Sequence, residues 1–183
     1  MFSKFIALIL ITVSAPILLL VSLFIVLSDK TPIIFRQKRI GLDNQSFLFY
    51  KFRTMKNNTP NIATHLMKDP SKYYIKMGLF LRKLSFDELP QLFNIIKGDM
   101  VFIGPRPALY NQDDLIKLRT NANLHKIKPG ITGWAQINGR DSISIEEKVD
   151  LEKYYLRNKS LLLDTKIIVL TFLKVFLVSD VDH

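Results

Sequence analysis

Phe5-Ile6-Ala7-Leu8-Ile9-Leu10-Ile11-Thr12-Val13-Ser14-Ala15-Pro16-Ile17-Leu18-Leu19-Leu20-Val21-Ser22-Leu23-Phe24-Ile25-Val26-Leu27 runs for 23 residues without a charge. At about 1.5 Å of rise per residue a helix of this length reaches roughly 34 Å, enough to cross a bilayer. Pro16 has no amide hydrogen to donate, and its ring crowds the preceding turn. A break is therefore predicted at Ser14-Ala15-Pro16, dividing the segment into two short arms. In lipid the carbonyl freed by the proline needs a partner, which the Ser14 or Thr12 hydroxyl could supply. Both flanks are basic: Lys4 on one side, and Lys30, Arg36, Lys38 and Arg39 on the other. Basic flanks favour the cytoplasmic side. A re-entrant hairpin with both ends cytoplasmic thus fits as well as a spanning helix kinked at the proline, and these residues leave both open. A cleaved leader is disfavoured, because Ser28-Asp29-Lys30-Thr31-Pro32 carries no small-x-small cleavage box.

Outside residues 1–30 the chain has the length of one ordinary domain, residues 31–183. Lys and Arg total 26 against 16 Asp and Glu, a formal charge of +10. That balance favours anionic partners: phospholipid headgroups, nucleic acid, or nucleotide and phosphate substrates. The chain has no cysteine, which excludes disulfides, thiolate-zinc sites and thiol catalysis. Its three histidines, His65, His125 and His183, are scattered. A hard ion held by carboxylates, such as Mg²⁺, remains compatible.

The pattern of the remainder is α+β. Thr31 to Met55 reads as a hairpin turning at Gly41-Leu42-Asp43-Asn44. Basic residues interleave with aromatics there, which could suit nucleic-acid stacking, but a half-buried strand pair with a basic outer face is favoured. Asn57 to Pro70 reads as a loop. Helices are predicted over Ser71 to Leu84, Asp87 to Ile96, Asp113 to Thr120 and Ser144 to Tyr155, with a short strand at Met100 to Ile103. Leu161 to Val178 is apolar, but Asp164, Lys166 and Lys174 point to a core helix or one lying on the membrane surface.

The chemistry concentrates in Ser85-Phe86-Asp87-Glu88-Leu89-Pro90-Gln91-Leu92-Phe93-Asn94. A carboxylate can act as a nucleophile toward phosphorus, and a neighbouring one can hold the metal that neutralises phosphate charge. Taken alone, an Asp-Glu pair is more often two acidic residues at a helix N-terminus. Arg82, Arg106 and Arg140 are candidate phosphate clamps, because a guanidinium fork matches phosphate oxygens. Lys51 and Arg53 rank below them. Glycines at 130, 133 and 139 could cradle a phosphate but match no Walker or dinucleotide pattern. Trp134 could stack on a base or pack in a core or membrane interface. Asp164 could cap its helix or reach the site.

In order along the chain, several blocks resemble the monotopic phosphoglycosyl transferase family of bacterial sugar transferases. They are Phe35 to Gly41, Tyr50 to Met55, Ser85 to Asn94, Lys97 to Met100, Gly104-Pro105-Arg106-Pro107 and Pro129 to Arg140. The resemblance implies a re-entrant membrane helix broken at Ser14 to Pro16, with a cytosol-facing catalytic domain carrying interfacial amphipathic helices. It implies Asp87 as nucleophile, Glu88 as Mg²⁺ ligand, Arg82, Arg106 and Arg140 as substrate-binding arginines, and a functional Asp164. It further implies transfer of a phosphosugar from a UDP-sugar to undecaprenyl phosphate at the bacterial cytoplasmic membrane, with release of UMP and no role for nucleic acid. The basic-residue-and-aspartate anchor many members carry before the membrane arm is reduced here to Lys4. Ala108-Leu109-Tyr110-Asn111-Gln112 and Pro60-Asn61-Ile62-Ala63-Thr64 resemble members that use acetamido-deoxy sugars. A membrane-tethered basic binding module and a non-catalytic scaffold stand as alternatives.

Overall fold

The computed structural model describes residues 2–59, 67–139 and 142–177. Helix α1, Phe2–Asp29, runs through Pro16 without interruption. The predicted division into two arms does not appear as an end to the helix. The Ser14 hydroxyl donates to the Leu10 carbonyl at 2.6 Å, and that of Thr12 donates to the Leu8 carbonyl at 3.0 Å. Both bonds reach back one turn, a local pattern that seats hydroxyls in an apolar helix. Neither goes to the Thr12 carbonyl, the acceptor that a proline at position 16 deprives of its usual donor.

One stripe of α1 packs inward. Ala7 joins Phe49, Leu92, Ile95 and Met100, with Ile11 against them. Val21 and Ile25 join Phe52, Ile75 and Leu81, with Leu18 alongside. Positions 7, 11, 18, 21 and 25 follow the helical period. The other faces are open, with Val13 72% and Leu19 71% exposed. Both ends of the helix meet the same domain. A Cβ placed on Gly98 would lie 3.2 Å from the Lys4 Nζ. At the far end, the Arg53 guanidinium bonds the Asp29 carboxylate and donates to the carbonyls of Asp29 and Lys30, each at 2.9 Å.

Strands β1 (Ile34–Ile40) and β2 (Ser46–Phe52) form the expected antiparallel hairpin, with Ile34 opposite Phe52 and Ile40 opposite Ser46. Helix α2, Gly78–Lys83, is shorter than the predicted Ser71 to Leu84. Met77 takes the left-handed conformation, with φ of 63°, and so stops helix from propagating across it. Upstream, Tyr74 forms a bridge to Met55, and the Ile75 amide donates to the Thr54 carbonyl at 3.0 Å. The chain then enters a single 3₁₀ turn at Phe86–Glu88 and helix α3 at Gln91–Lys97.

Strand β3, Val101–Ile103, leads to β4, Ala108–Leu109, which extends the hairpin by pairing antiparallel with β1. Helix α4 spans Asp113–Asn121, and β5, Gly130–Thr132, pairs in parallel with β3. Neither β4 nor β5 is visible as a strand in the sequence. Both are too short to show a period, and their pairing is long-range. The glycines near β5 serve this contact. A Cβ on Gly130 would sit 2.1 Å from the Gly104 amide nitrogen, and one on Gly133 would sit 2.2 Å from the Gly104 carbonyl oxygen. They allow two backbones to touch, a packing reason for glycine at 130 and 133.

Helices α5 (Trp134–Ile137), α6 (Ile145–Asn158) and α7 (Leu161–Leu177) complete the chain. Ser144 and Glu147 form a capping box on α6. Arg119 and Glu152 lock α4 to α6 through a buried ion pair. Ile167 on α7 is fully buried against Ile137 and Tyr155, while Leu161, Val169 and Phe172 lie exposed. The helix thus presents a core face and an apolar outer face. The fold combines helices and sheets behind one long apolar N-terminal helix.

Candidate active site

Ser85, at φ of 56°, reverses the chain after α2 and starts the turn that carries Asp87 and Glu88. Leu89 and Pro90 keep right-handed helical angles, so the turn runs directly into α3. The turn faces β2, where Lys51 spans both carboxylates. Its Nζ lies 2.7 Å from Glu88 Oε1 and 3.5 Å from Asp87 Oδ2. Arg106 approaches the same Glu88 oxygen with Nη2 at 3.0 Å.

The loop carrying Arg106 is held on both sides. The Gly130 amide donates to the Pro105 carbonyl at 2.9 Å, and Arg39 donates to the Pro107 carbonyl at 3.1 Å. The two prolines restrict its backbone further. Arg82, one turn before the dyad, is aimed by Thr54 Oγ1 at 3.1 Å and the Tyr74 hydroxyl at 3.2 Å. Its guanidinium also lies 5.4 Å from the Tyr74 ring centre.

Asp87 is 3% exposed. Burial pushes its carboxyl above the usual range; Lys51 pulls it back down, Glu88 pushes it further up, and Arg82 and Arg106 pull it down. The side chains become more accessible outward, from 5% for Asp87 through 12% for Glu88 to 27% for Arg106. The arrangement is a recessed carboxylate behind a rim of cations, open toward Arg106. Beside it, Leu79 and Phe80 of α2 are exposed, so an apolar surface adjoins the site.

The structure therefore gathers Asp87, Glu88, Arg82 and Arg106. It adds Lys51, which the sequence ranks low because contact between β2 and the Asp87 turn depends on tertiary register. Arg53 plays another part: 4% exposed, it holds the end of α1 rather than a phosphate site. Arg140 and the Pro60 to Thr64 segment lie outside the described residues. Asp164 accepts a hydrogen bond from the Tyr155 hydroxyl at 2.8 Å, and burial followed by this bond pushes the Tyr155 hydroxyl pKa up. The helix cap there is Ser160, whose hydroxyl accepts from the Leu163 amide. Trp134 stacks on Tyr154 at 5.5 Å, with Lys166 over its ring.

Among the described residues, no group of three or more His, Cys, Asp or Glu side chains could enclose a metal. The Asp87-Glu88 pair offers hard oxygen donors only. Such a sparse set suits Mg²⁺, which keeps waters and takes one or two carboxylates plus substrate phosphates.

A sequence model of the bacterial sugar transferase family matches residues 1–178, and the chain belongs to that family. It is 48% identical over 152 residues to the uncharacterized sugar transferase EpsL of Bacillus subtilis (strain 168), covering 82% of this chain and 72% of that protein. It is 40% identical to the UDP-glucose:undecaprenyl-phosphate glucose-1-phosphate transferase of Escherichia coli (strain K12), over 88% of this chain and 36% of that one. The UDP-N-acetylgalactosamine-undecaprenyl-phosphate N-acetylgalactosaminephosphotransferase of Aeromonas hydrophila is 36% identical over 90% of this chain and 40% of its own length. The chain thus spans well under half of the two relatives whose names state a donor and acceptor.

Proposed function

We propose that this protein transfers a phosphosugar from a UDP-sugar to undecaprenyl phosphate through a covalent intermediate on Asp87, as the first membrane step of polysaccharide assembly. The observation that carries the reading is the recessed Asp87 carboxylate under Lys51, Arg82 and Arg106. Asp87 Oδ attacks the β-phosphorus, forming a carboxyl-phosphorus bond as UMP departs with the electron pair of the broken P–O bond. An oxygen of undecaprenyl phosphate then attacks the same phosphorus, and the Asp87 carboxylate leaves with its electrons restored. Lys51 and Arg106 face the phosphate oxygens, where fixed cations offset the charge that accumulates during transfer. Glu88, with Asp87, is the place for Mg²⁺, which when bound would neutralise phosphate charge.

Placement supports the same reading. Helix α1 is long and apolar enough to cross a membrane, yet Lys4 and Asp29 at its two ends meet one domain. The re-entrant reading, with both ends on the cytoplasmic face, rests on the basic residues at both flanks and requires α1 to bend at Pro16 on insertion. The exposed Leu79 and Phe80 beside the dyad then lie where the headgroup of a lipid acceptor sits. For the donor, the Ala108 to Gln112 segment favours an acetamido-deoxy sugar.

The test is UMP release by purified protein given Mg²⁺, undecaprenyl phosphate and a panel of UDP-sugars. Wild type is expected to release UMP with at least one donor, and Asp87→Asn is expected to release none above background. Equal release by both would remove Asp87 as nucleophile. No release with any donor would favour a binding or scaffolding role.

A further inference from the structure

The α3 face that looks onto β2 carries an amide with nothing to bond. β2 is an edge strand, since the sheet order is β2-β1-β4. The Arg53 amide donates to the Ile33 carbonyl on the β1 side, so by alternation the even-numbered residues of β2 direct their N–H and C=O groups toward α3. Asn94 completes one such rung, donating to the Leu48 carbonyl at 2.7 Å and accepting from the Tyr50 amide at 3.1 Å. Asp87 and Glu88, two turns earlier, meet Lys51 on the same strand. Gln91 stands between them, one turn after Asp87 and one turn before Asn94. It is fully buried, and neither its Oε1 nor its Nε2 has a hydrogen-bond partner.

A buried carboxamide without partners destabilises the state that contains it, because water no longer satisfies its two donors and its acceptor. Asn94 shows that this interface can seat an amide with both ends bonded. What distinguishes position 91 is its neighbour, the side chain that the proposed chemistry loads and unloads. Residues four apart on a helix meet side by side, so the Gln91 amide is within one turn's reach of the Asp87 carboxyl.

We infer that Gln91 is a positioning residue for the nucleophile: its Nε2–H takes the Asp87 oxygen that is not bonded to phosphorus once the phosphosugar is attached. This rests on the covalent reading above. A donor on that oxygen fixes the rotation of the loaded carboxyl. It also eases departure of the carboxylate when the acceptor oxygen attacks phosphorus, since the returning electron pair is shared with the bonded oxygen. Discharge of the intermediate should depend on Gln91 more than its formation does.

The experiment compares full-length wild type with Gln91→Met, which keeps length and volume but removes the amide. Thermal melting is measured without donor. The lifetime of the labelled adduct is measured after loading with the β-³²P UDP-sugar that supports turnover and chasing with undecaprenyl phosphate. Gln91→Met is expected to melt at or above the wild-type temperature, to form the adduct, and to discharge it at least tenfold more slowly, with kcat lowered and kcat/KM for the donor little changed. A variant that melts lower or fails to fold contradicts the premise that the amide is unpaired. Wild-type discharge by the variant would overturn the assignment of Gln91 alone. Absence of any adduct in wild type would overturn the covalent reading, and this one with it.

Discussion

Lys51 is the residue whose importance changes most between sequence and structure. In the sequence it is one basic residue among aromatics in Tyr50-Lys51-Phe52-Arg53, and nothing local separates it from a solvated strand face. In the fold it lies on both carboxylates of the dyad. Its charge opposes the upward push that burial exerts on the Asp87 carboxyl. The proposed attack by Asp87 needs the ionised form, so activity is expected to fall as pH drops through the Asp87 pKa, which lies above the ordinary value of 3.8. Removing Lys51 takes away a downward influence. Lys51→Met is therefore expected to move the acid limb of the kcat/KM profile to higher pH, and to lower the plateau by about 10²-fold. A pH–rate profile with an unmoved acid limb would show that Lys51 does not govern Asp87. Asp87, Glu88 and Arg106 were legible as candidates because each belongs to a compact motif, while Arg82 stood out only by its guanidinium and by the resemblance. Gln91 was not, because its lack of a partner exists only once α3 is laid against β2.

Among the elements, those with a clear period were readable: the hairpin, α4, α6 and α7 fall close to their predicted ranges. The failures share a cause. β4, β5 and α5 are two to four residues long and owe their form to partners far along the chain, and α2 is cut short by the left-handed Met77. α1 was recognised by composition, and Pro16 lies within it without ending it. What holds the end of α1 was also hidden. Arg53 uses Nε on the Pro32 carbonyl and both remaining nitrogens on Asp29, Lys30 and Asn57. Truncation would strand those carbonyls and the Asp29 carboxylate. Arg53→Ala is expected to cost about 3 kcal/mol, at the low end for a broken buried pair because the Asp29 side chain is 36% exposed. Denaturant unfolding in detergent, followed by Trp134 fluorescence, measures this. A change below about 0.5 kcal/mol, typical of neutral surface substitutions, would mean that Arg53 does not secure the helix.

For the molecule as a whole, a recessed carboxylate ringed by cations shares the fold with a long helix whose open faces are apolar. Helix α1 packs one stripe on the catalytic domain along most of its length and leaves its other faces apolar and open. Leu161, Val169 and Phe172 of α7 and Leu79 and Phe80 of α2 are exposed as well. Under the proposed function, a protein seated this way would meet a lipid phosphate without drawing the lipid out of the bilayer. The charge of +10 favours both anionic substrates and an anionic membrane. Everything in this account turns on a phosphosugar held for a time on one buried carboxylate. Incubating the membrane-embedded protein with donor in the absence of acceptor, then digesting it and weighing the peptide that contains position 87, tests this directly. The expected result is a mass gain of one phosphosugar on Asp87 that disappears when undecaprenyl phosphate is added. An unmodified peptide from protein that turns over normally, with donor and acceptor reacting only when both are present, would contradict it.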